Sequence, residues 1–422
     1  MPHATWKREE IMQFDVVIVG GGHGGAAQAA QLRQKGFTGS LAIITAEPEL
    51  PYERPPLSKE YLAGEKSFER MLLRPPAFWA ERSVEVLTAT RVAAVDAAAH
   101  TLATTAGEIG YGQLVWAAGG DPRKLNCPGH ELPGLHAIRT RADVDALKAD
   151  LRPESRVLVV GGGYIGLESA AVLRKLGHEV TVIEAMDRVL ARVAGPELSA
   201  FYEAEHRAHG VEIVTGAGLA SLAAVGDARL ATLTDGRQIV ADVVIVGIGI
   251  VPAVEPLLAA GARGGAIGSP GGVWVDDHCR TSLADVFAIG DCALHANAFA
   301  GGAEIRLESV QNAADMAITV ARVITGDPAP YHAVPWFWSN QYDLRLQTMG
   351  LSIGHDQTVL RGDPATHSFS LIYLKAGKVI ALDCVNAARD YVQGKALVEK
   401  GVAVPTAALA DTETLLKTWH PT

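Results

Sequence analysis

The fold is decided by residues 156–185, which read RVLVVGGGYIGLESAAVLRKLGHEVTVIEA. An apolar, β-branched run leads into glycines, a helical segment follows, and a second apolar run ends at an acid. This order predicts a strand, a glycine turn, a helix and a second strand, which together make a βαβ unit. Residues 15–37, DVVIVGGGHGGAAQAAQLRQKGF, have the same form. The chain therefore carries an internal repeat.

The glycines of both turns follow the spacing G-x-G-x-x-G. They are Gly20, Gly22 and Gly25 in the first copy and Gly161, Gly163 and Gly166 in the second. In this motif the first glycine allows a tight turn, the second lets the backbone approach a pyrophosphate, and the third lets the helix pack on the strand. Plain glycine turns are the alternative, but two copies between a strand and a helix favour two dinucleotide sites.

An acid follows each copy. The second strand of the later unit ends at Glu184, where a carboxylate accepts hydrogen bonds from an adenosine ribose and repels a 2′-phosphate. This favours NADH over NADPH, although Arg188 can weaken the discrimination and a solvated acid is the alternative. In the first copy the strand is expected to end at Thr45, and the ribose contact is assigned to Glu47.

Two dinucleotide sites in one chain indicate a redox pair. A nicotinamide needs an acceptor for its hydride, and no small-substrate residues are evident in the sequence. The other dinucleotide is then the acceptor, FAD. Since the acid of the second copy favours NADH there, we expect FAD at the first glycine turn and NADH at the second.

The remaining segments predict the domain organisation. Residues 281–291, TSLADVFAIGD, supply a further part of the first site, and the sequence alternates like antiparallel strands after about residue 331. We expect an α/β fold of two Rossmann-like dinucleotide-binding domains, one inserted in the other, plus a C-terminal α+β domain. The predicted bounds are 14–120 and 251–330 for the FAD domain, 121–250 for the NAD domain and 331–422 for the C-terminal domain.

Composition excludes several classes of function. The 422 residues carry a formal charge of -10 without a Lys/Arg run, which argues against nucleic acid as a partner. No apolar stretch approaches a membrane span, and the start MPHATWKREEIMQ is charged where a signal peptide is apolar, so we expect a cytoplasmic protein. The four cysteines are widely separated and predict buried free thiols. The sequence contains neither HExxH nor GxSxG, and we expect no metal site.

Several longer motifs resemble one family. These are PYERPPLSKEYLAG, GGGYIGLESAAVL, VIEAMDRVLARV, ADVVIVGIGIVP, TSLADVFAIGDC, RLESVQNA and VPWFWSNQYDLRLQ. Together they resemble the FAD-dependent NADH:ferredoxin reductases, of the putidaredoxin-reductase type, that serve bacterial cytochrome P450 and ring-hydroxylating dioxygenase systems. The resemblance runs from about Phe14 to Val398 and implies a fold like that of glutathione reductase.

The resemblance also implies roles for individual residues. It places Arg54 and Lys59 against the flavin, with Lys59 near the N5 edge and paired with Glu168 as the catalytic pair. A surface lysine and a glutamate at a helix start are the alternatives for that pair. Asp291 holds the ribityl chain, and Trp336 shields the ring, although large aromatic residues most often fill cores. The further FAD contacts that it implies are His23, Gly24, Val92, Ala117, Gly119, Arg139 and Val310. The further NAD contacts are Tyr164, Ile165 and Gly249.

Three positions depart from the family pattern and put individual polar contacts in doubt. They are Ala46, Ala118 and Asn340, and none of them touches the glycine frameworks.

The function indicated by these features is hydride transfer from NADH to FAD, followed by single-electron transfer to a [2Fe-2S] ferredoxin that feeds a cytochrome P450 or a dioxygenase. An NADH oxidase, a peroxidase or a rubredoxin reductase is the alternative in the same class. The oxidase branches generally need a redox cysteine near the flavin, and residues 1–120 contain none. A binding flavoprotein of the apoptosis-inducing-factor kind is the alternative from another class, but it calls for basic patches that this sequence lacks.

Overall fold

The structure is a computed structural model, which describes residues 11–265 and 271–420. The chain divides into two compact units. Unit 1 contains the residues up to 53, residues 72–120 and residues 252–333, and unit 2 contains residues 54–71, residues 121–251 and the residues from 334 onwards. Each unit is thus assembled from three separate segments of the chain.

The strands of the described residues follow one another along the chain. In order they are β1 (Met12–Val19), β2 (Leu41–Ile44), β3 (Val84–Leu87), β4 (Val92–Asp96), β5 (Thr101–Thr104), β6 (Gly107–Trp116), β7 (Gly120–Pro122), β8 (Leu135–His136), β9 (Arg156–Val160), β10 (Glu179–Glu184), β11 (Glu212–Thr215), β12 (Leu219–Val225), β13 (Ala228–Leu233), β14 (Gln238–Ala241), β15 (Val243–Val246), β16 (Ile250–Pro252), β17 (Val273–Trp274), β18 (Val286–Ala288), β19 (Ala293–Ala296), β20 (Glu304–Ile305), β21 (Trp336–Gln341), β22 (Leu344–Gly350), β23 (Gln357–Asp363), β24 (Ser368–Lys375) and β25 (Lys378–Val385).

The helices complete the framework. The α-helices are α1 (His23–Gln34), α2 (Pro76–Glu81), α3 (Arg141–Asp150), α4 (Tyr164–Lys175), α5 (Pro196–Ala208), α6 (Glu255–Ala259), α7 (Val310–Ile324), α8 (Ala388–Lys400) and α9 (Thr406–Ala410). Short 3-10 helices lie at Pro55–Ser58, Phe68–Met71, Gly290–Cys292, Ala298–Ala300, Pro364–Thr366 and Leu416–Trp419. Within the described ranges, every helix is too short or too polar to cross a bilayer.

Unit 1 is built around a sheet in the order β3-β2-β1-β6-β5-β4, with β18 also paired to β6. The strands β2, β1, β6 and β18 run parallel, whereas β4, β5 and β6 form an antiparallel meander. The side chains of residues 16–19 in β1 are all buried, as expected for a parallel strand covered on both faces. Helices α1 and α7 pack against each other, and Ser309 caps α7 by accepting a hydrogen bond from Asn312 N.

Unit 2 contains a parallel sheet in the order β11-β10-β9-β15-β8 and a small antiparallel sheet β12-β13-β14. Its C-terminal segment forms an antiparallel sheet in the order β21-β22-β25-β24-β23, on which α8 packs. A separate apolar core lies beneath each of these two larger sheets. The alternation read in the sequence after residue 331 thus corresponds to antiparallel strands that begin at Trp336.

The two units do not follow the predicted domain bounds segment by segment. Residues 54–71, predicted within the FAD domain, belong to unit 2. Tyr331, predicted at the start of the C-terminal domain, belongs to unit 1, where its backbone N donates to Asp277 O at 2.6 Å. The division into three domains stays a prediction.

Candidate functional site

The first glycine turn joins β1 to α1. Gly20 has φ +118°, and a Cβ at this position would lie 2.2 Å from the carbonyl oxygen of Ala117. At Gly25 a Cβ would lie 1.9 Å from the carbonyl oxygen of Gly20, so the helix packs on the turn without room for a side chain. A Cβ at Gly22 would meet no described heavy atom within 4 Å. The middle glycine thus leaves open space directly before the N-terminus of α1, where an anion is stabilised.

The second glycine turn, between β9 and α4, repeats this geometry. Gly161 has φ +110°, and its Cβ would lie 2.4 Å from the carbonyl oxygen of Gly247. A Cβ at Gly166 would lie 2.1 Å from the carbonyl oxygen of Gly161, and a Cβ at Gly163 would again meet no described atom within 4 Å. Both turns therefore offer an open helix N-terminus of the shape that a pyrophosphate requires.

The backbone hydrogen bonds at the two turns correspond as well. Gly20 N donates to the carbonyl oxygen of Ile44, the last residue of β2, and Gly161 N donates to Ile183 O in β10, both at 2.8 Å. On the other side, Ala117 N donates to Val19 O at 2.7 Å, and Gly247 N donates to Val160 O at 2.8 Å. The internal repeat is therefore structural and extends to the strands on both sides of each turn.

Glu184 is held at the mouth of the second turn. Its Oε2 accepts a hydrogen bond from Gly162 N at 2.8 Å, and its Oε1 accepts one from Met186 N at 2.9 Å. The neighbouring Arg188 is occupied elsewhere, since its guanidinium donates to the carbonyl oxygens of Ala191 and Ala194 and to the side chain of a serine in α5. These bonds of Arg188 go to groups other than the Glu184 carboxylate.

The acid of the first copy is held differently. The strand before it ends at Ile44, one residue earlier than predicted, and the carboxylate of Glu47 accepts a hydrogen bond from Tyr52 OH. Val92 begins β4, two residues after Thr90, whose backbone N donates to Thr45 O at 2.8 Å. Glu47 and Val92 thus each lie two residues after one partner of the hydrogen bond between Thr45 and Thr90, just beyond the end of β2.

Further predicted residues of unit 1 lie in the turn after β18, at the start of α7 and after β6. Asp291 lies in the 3-10 turn after β18, and its backbone oxygen accepts a hydrogen bond from Arg306 at 2.6 Å. A Cβ at Gly24 would be in ordinary contact with Ile289 and Ala313, which places the β18 turn and α7 against the first turn of α1. Val310 is the first residue of α7. Gly119 follows β6 with φ +66°.

Lys59 and Glu168 meet in unit 2. Lys59 follows the 3-10 helix Pro55–Ser58, Glu168 lies in the second turn of α4, and Lys59 Nζ lies 2.8 Å from Glu168 Oε2. The side chains are 11% and 4% exposed, so the ion pair is largely screened from water. Ser58 Oγ also donates to Oε2, at 2.6 Å, and Ser339 Oγ donates to Oε1 at 2.7 Å. These three donors replace the water that the Glu168 carboxylate loses on burial, because a buried charge is costly unless it is paired and hydrogen-bonded.

Residues 54–71 are anchored on α3. Arg54 Nη1 donates to the carbonyl oxygen of Arg139 at 2.9 Å, directly before Thr140, whose side chain caps the helix. Later in the segment, Tyr61 OH donates to Asp145 Oδ1 in α3 at 2.6 Å. These bonds fix the segment on both sides of Lys59.

The remaining predicted residues of unit 2 lie at element ends. Tyr164 begins α4 and packs on Phe337, with ring centroids 4.7 Å apart, whereas Ile165 beside it is exposed. Gly249 follows β15 with φ +94°. Trp336 begins β21 and is 37% exposed, and its ring is tilted against that of Trp338 at 5.7 Å.

All four cysteines are buried and unpaired, as predicted. They are Cys127, Cys279, Cys292 and Cys384. Burial raises the pKa of Cys292 and of Cys384 to about 12, so neither thiol ionises near neutral pH. Burial also raises the pKa of Cys127 and of Cys279, so none of the four thiols has the lowered pKa of a redox-active cysteine.

Ser58 and Ser339 were missed by the sequence predictions. A signal for Ser339 exists in β21, because the alternation of WFWSNQ places Ser339 and Gln341 on the face of Phe337. Ser339 and Gln341 are both buried, and polar residues on a buried face need partners. No comparable signal marks Ser58 apart from its place beside Lys59.

A family model described as "Pyridine nucleotide-disulphide oxidoreductase" matches residues 14–317. The chain belongs to the pyridine nucleotide-disulphide oxidoreductase family. Residues 336–420 match a second model, described as "Reductase C-terminal". The two matches cover the glycine turns and the antiparallel C-terminal sheet, respectively.

Three similar proteins illustrate the likeness. The ferredoxin reductase subunit of 5,5′-dehydrodivanillate O-demethylase from Sphingobium sp. (strain NBRC 103272 / SYK-6) is 59% identical, over 96% of this chain and 98% of its own length. The crystal structure of the ferredoxin reductase for the CYP199A2 system from Rhodopseudomonas palustris has a TM-score of 0.92 and 39% identity, covering 96% of this chain and 100% of its own. The crystal structure of the covalent complex of putidaredoxin reductase with putidaredoxin has a TM-score of 0.89 and 35% identity. The match covers 95% of this chain and 97% of that chain. The resemblance to ferredoxin reductases and the predicted fold class are both confirmed.

Proposed function

We propose that this chain is an FAD-dependent NADH:ferredoxin reductase, which receives a hydride from NADH and passes single electrons to a [2Fe-2S] ferredoxin of a cytochrome P450 or dioxygenase system. The observation that carries the proposal is the pair of glycine turns, each with an open helix N-terminus, in a chain whose four cysteines are buried and unpaired. The ferredoxin reductases among its relatives support the choice of partner. The unpaired cysteines support a reducing compartment, and we propose the cytoplasm.

The residues fit two dinucleotides, since a side chain at the middle glycine of either turn would fill the cradle. For FAD we assign the residues predicted from the sequence, which are Gly20, Gly22, His23, Gly24, Gly25, Glu47, Arg54, Lys59, Val92, Ala117, Gly119, Arg139, Asp291, Val310 and Trp336. For NADH we assign Gly161, Gly163, Tyr164, Ile165, Gly166, Glu184 and Gly249. Bound flavin supplies the conversion of a two-electron donor into one-electron steps.

The side chains of this chain supply position and charge. Lys59 is a cation held in place by a buried carboxylate, and a fixed cation stabilises negative charge that develops beside it. Glu184 accepts hydrogen bonds from two backbone N–H groups beside the second glycine turn, and its carboxylate would repel a 2′-phosphate, which favours NADH. We therefore assign Lys59 and Glu168 as the catalytic pair and Glu184 as the residue that selects the nucleotide.

The proposal is tested by titrating the purified protein with NADH in the absence of oxygen. We expect a bound flavin that bleaches with about one equivalent of NADH, because one hydride carries two electrons. Electrons should then pass to cytochrome c only when a [2Fe-2S] ferredoxin is added. A protein without a flavin spectrum would refute the first site, rapid consumption of oxygen without ferredoxin would indicate an oxidase, and transfer to rubredoxin in place of ferredoxin would indicate a rubredoxin reductase.

A further inference from the structure

The buried carboxylate of Glu168 is connected to the C-terminal sheet by a serine. Ser339, in β21, is fully buried and donates from Oγ to Glu168 Oε1 at 2.7 Å. Its oxygen in turn accepts a hydrogen bond from Gln341 Nε2 at 3.1 Å. Lys59 and Ser58 occupy the other carboxylate oxygen, so Ser339 is the donor that the described residues place on Oε1. The orientation of the Glu168 carboxylate therefore depends on the donors at both of its oxygens.

The hydrogen bonds continue beyond Gln341. Gln341 Oε1 lies 2.8 Å from His206 Nε2, and His206 Nδ1 lies 3.1 Å from Tyr342 OH. An amide oxygen only accepts, so Nε2 carries the hydrogen and Nδ1 accepts from the phenol. Burial lowers the pKa of His206 to about 4, which keeps the imidazole neutral at neutral pH, as this pattern requires.

All these bonds point in one direction. Tyr342 donates to His206, His206 to Gln341, Gln341 to Ser339, and Ser339 to Glu168. An amide has no acidic proton to pass on at neutral pH, so the chain of bonds is unsuited to proton transfer. Hydrogen bonds in such a series polarise one another and fix the geometry of the group at the end.

We propose that Ser339, held by Gln341 and His206, is a positioning residue that fixes the Glu168 carboxylate against Lys59. The inference rests on the proposed function in one respect, the assignment of Lys59 to the flavin. Without the serine hydroxyl, Oε1 is a buried acceptor that has lost its donor, and such a group rotates or draws in water to find another. Either change weakens the ion pair between Glu168 and Lys59.

The experiment compares Ser339→Ala with Ser370→Ala, because Ser370 is also fully buried in the C-terminal sheet but bonds to Cys384 and Asp390. We expect Ser339→Ala to slow flavin reduction by NADH about tenfold, with the Kd for NADH unchanged, and to shift the flavin midpoint potential. In the protein stripped of flavin, acetylation of Lys59, followed by peptide mass spectrometry, should become about threefold faster or more, since the ion pair that protects its amine is loosened.

A double-mutant cycle with Glu168→Gln shows whether Ser339 acts through Glu168. We expect Ser339→Ala to add less than about a twofold effect in the Glu168→Gln background, because the carboxylate that it positions is already gone. An equal effect in both backgrounds would overturn the inference. The inference would also be overturned if Ser339→Ala kept the acetylation rate and the midpoint potential of the unaltered protein. It would be overturned as well if Ser370→Ala changed flavin reduction, Lys59 acetylation and the midpoint potential as Ser339→Ala is expected to do.

The two proposals fail separately. If the unaltered protein binds no flavin or is not reduced by NADH, the proposed function fails. The acetylation of Lys59 in the flavin-free protein still decides whether Ser339 positions Glu168.

Discussion

At the scale of single residues, Gly22 and Gly163 offer matched tests of the two sites. Both have negative φ, and neither Cβ would meet a described atom within 4 Å, so a larger side chain is tolerated by the backbone. We expect Gly22→Val to purify folded with less than about a tenth of the flavin, because the valine occupies the place of the pyrophosphate. Gly163→Val should keep its flavin while the KM for NADH rises about tenfold or more.

Flavin absorbance per protein and anaerobic reduction by NADH measure the two outcomes. Gly218→Ala is the control for the replacement of a glycine, since a Cβ there would make only ordinary contacts, at 3.6 Å with Ala185 and at 3.7 Å with Thr234. Loss of flavin in Gly163→Val but not in Gly22→Val would show that the two sites have been assigned the wrong way round.

Glu184 is the residue that we propose as the selector of the nucleotide. Replacing it by glutamine removes the negative charge but keeps an acceptor for one of the backbone N–H groups of Gly162 and Met186. We expect Glu184→Gln to raise kcat/KM for NADPH relative to NADH about tenfold or more, because the repulsion of the 2′-phosphate is lost. Steady-state kinetics with both nucleotides measure the ratio.

Glu179→Gln is the matched control, because Glu179 is exposed at the opposite end of the same strand. A ratio that stays unchanged in Glu184→Gln would mean that the shape of the turn, and not the charge, selects the nucleotide.

At the scale of elements, the C-terminal sheet contains a buried acid that makes its stability depend on pH. Asp383 in β25 accepts a hydrogen bond from Tyr373 OH at 2.7 Å, and burial raises the pKa of its carboxyl from 3.8 to about 6. Between these two values the folded state binds more protons than the unfolded state. The contribution of Asp383 to stability is therefore full below about pH 4, falls as the pH rises to about 6, and is then constant.

We expect Asp383→Asn to remove this fall, which amounts to about 3 kcal/mol at most. Urea unfolding between pH 4.5 and 7.5, with pulsed hydrogen exchange of peptides from β24 and β25, measures the slope. Asp343→Asn is the control, because it removes the same charge from an exposed position in the turn between β21 and β22. A slope that survives in Asp383→Asn would assign the titration to another group.

The sequence predicted the elements with strong local patterns, and it missed the contacts between distant elements. The apolar runs of β1 and β9 and the glycines after them indicated both turns, because each pattern is complete within some twenty residues. The meeting of Ser339 with Glu168 joins residues 171 positions apart, and the alternation in β21 shows only which face the serine occupies. The pairing of Lys59 with Glu168 was implied by the family resemblance, since neither residue's local sequence points to the other.

At the scale of the whole molecule, the internal repeat has produced two cradles that are built separately. The first turn is formed by residues 19–25 with Ile44 and Ala117, all of unit 1, and the second by residues 160–166 with Ile183 and Gly247, all of unit 2. Glu184 also belongs to unit 2 and is bonded to its own glycine turn. Neither cradle therefore depends on the other for its glycine contacts.

This independence predicts that the second site binds the adenosine and pyrophosphate part of NADH without any flavin. ADP-ribose is the suitable probe, because it carries these groups but lacks the nicotinamide ring. We expect its Kd, measured by calorimetry, to differ less than about threefold between the flavin-free and the flavin-loaded protein, which is less than about 0.7 kcal/mol. Gly163→Val should abolish the binding in both forms, whereas Gly22→Val should leave it intact. Binding of ADP-ribose that requires flavin would instead mean that the second cradle is completed only when the first is filled, and that the two copies of the repeat act as one site.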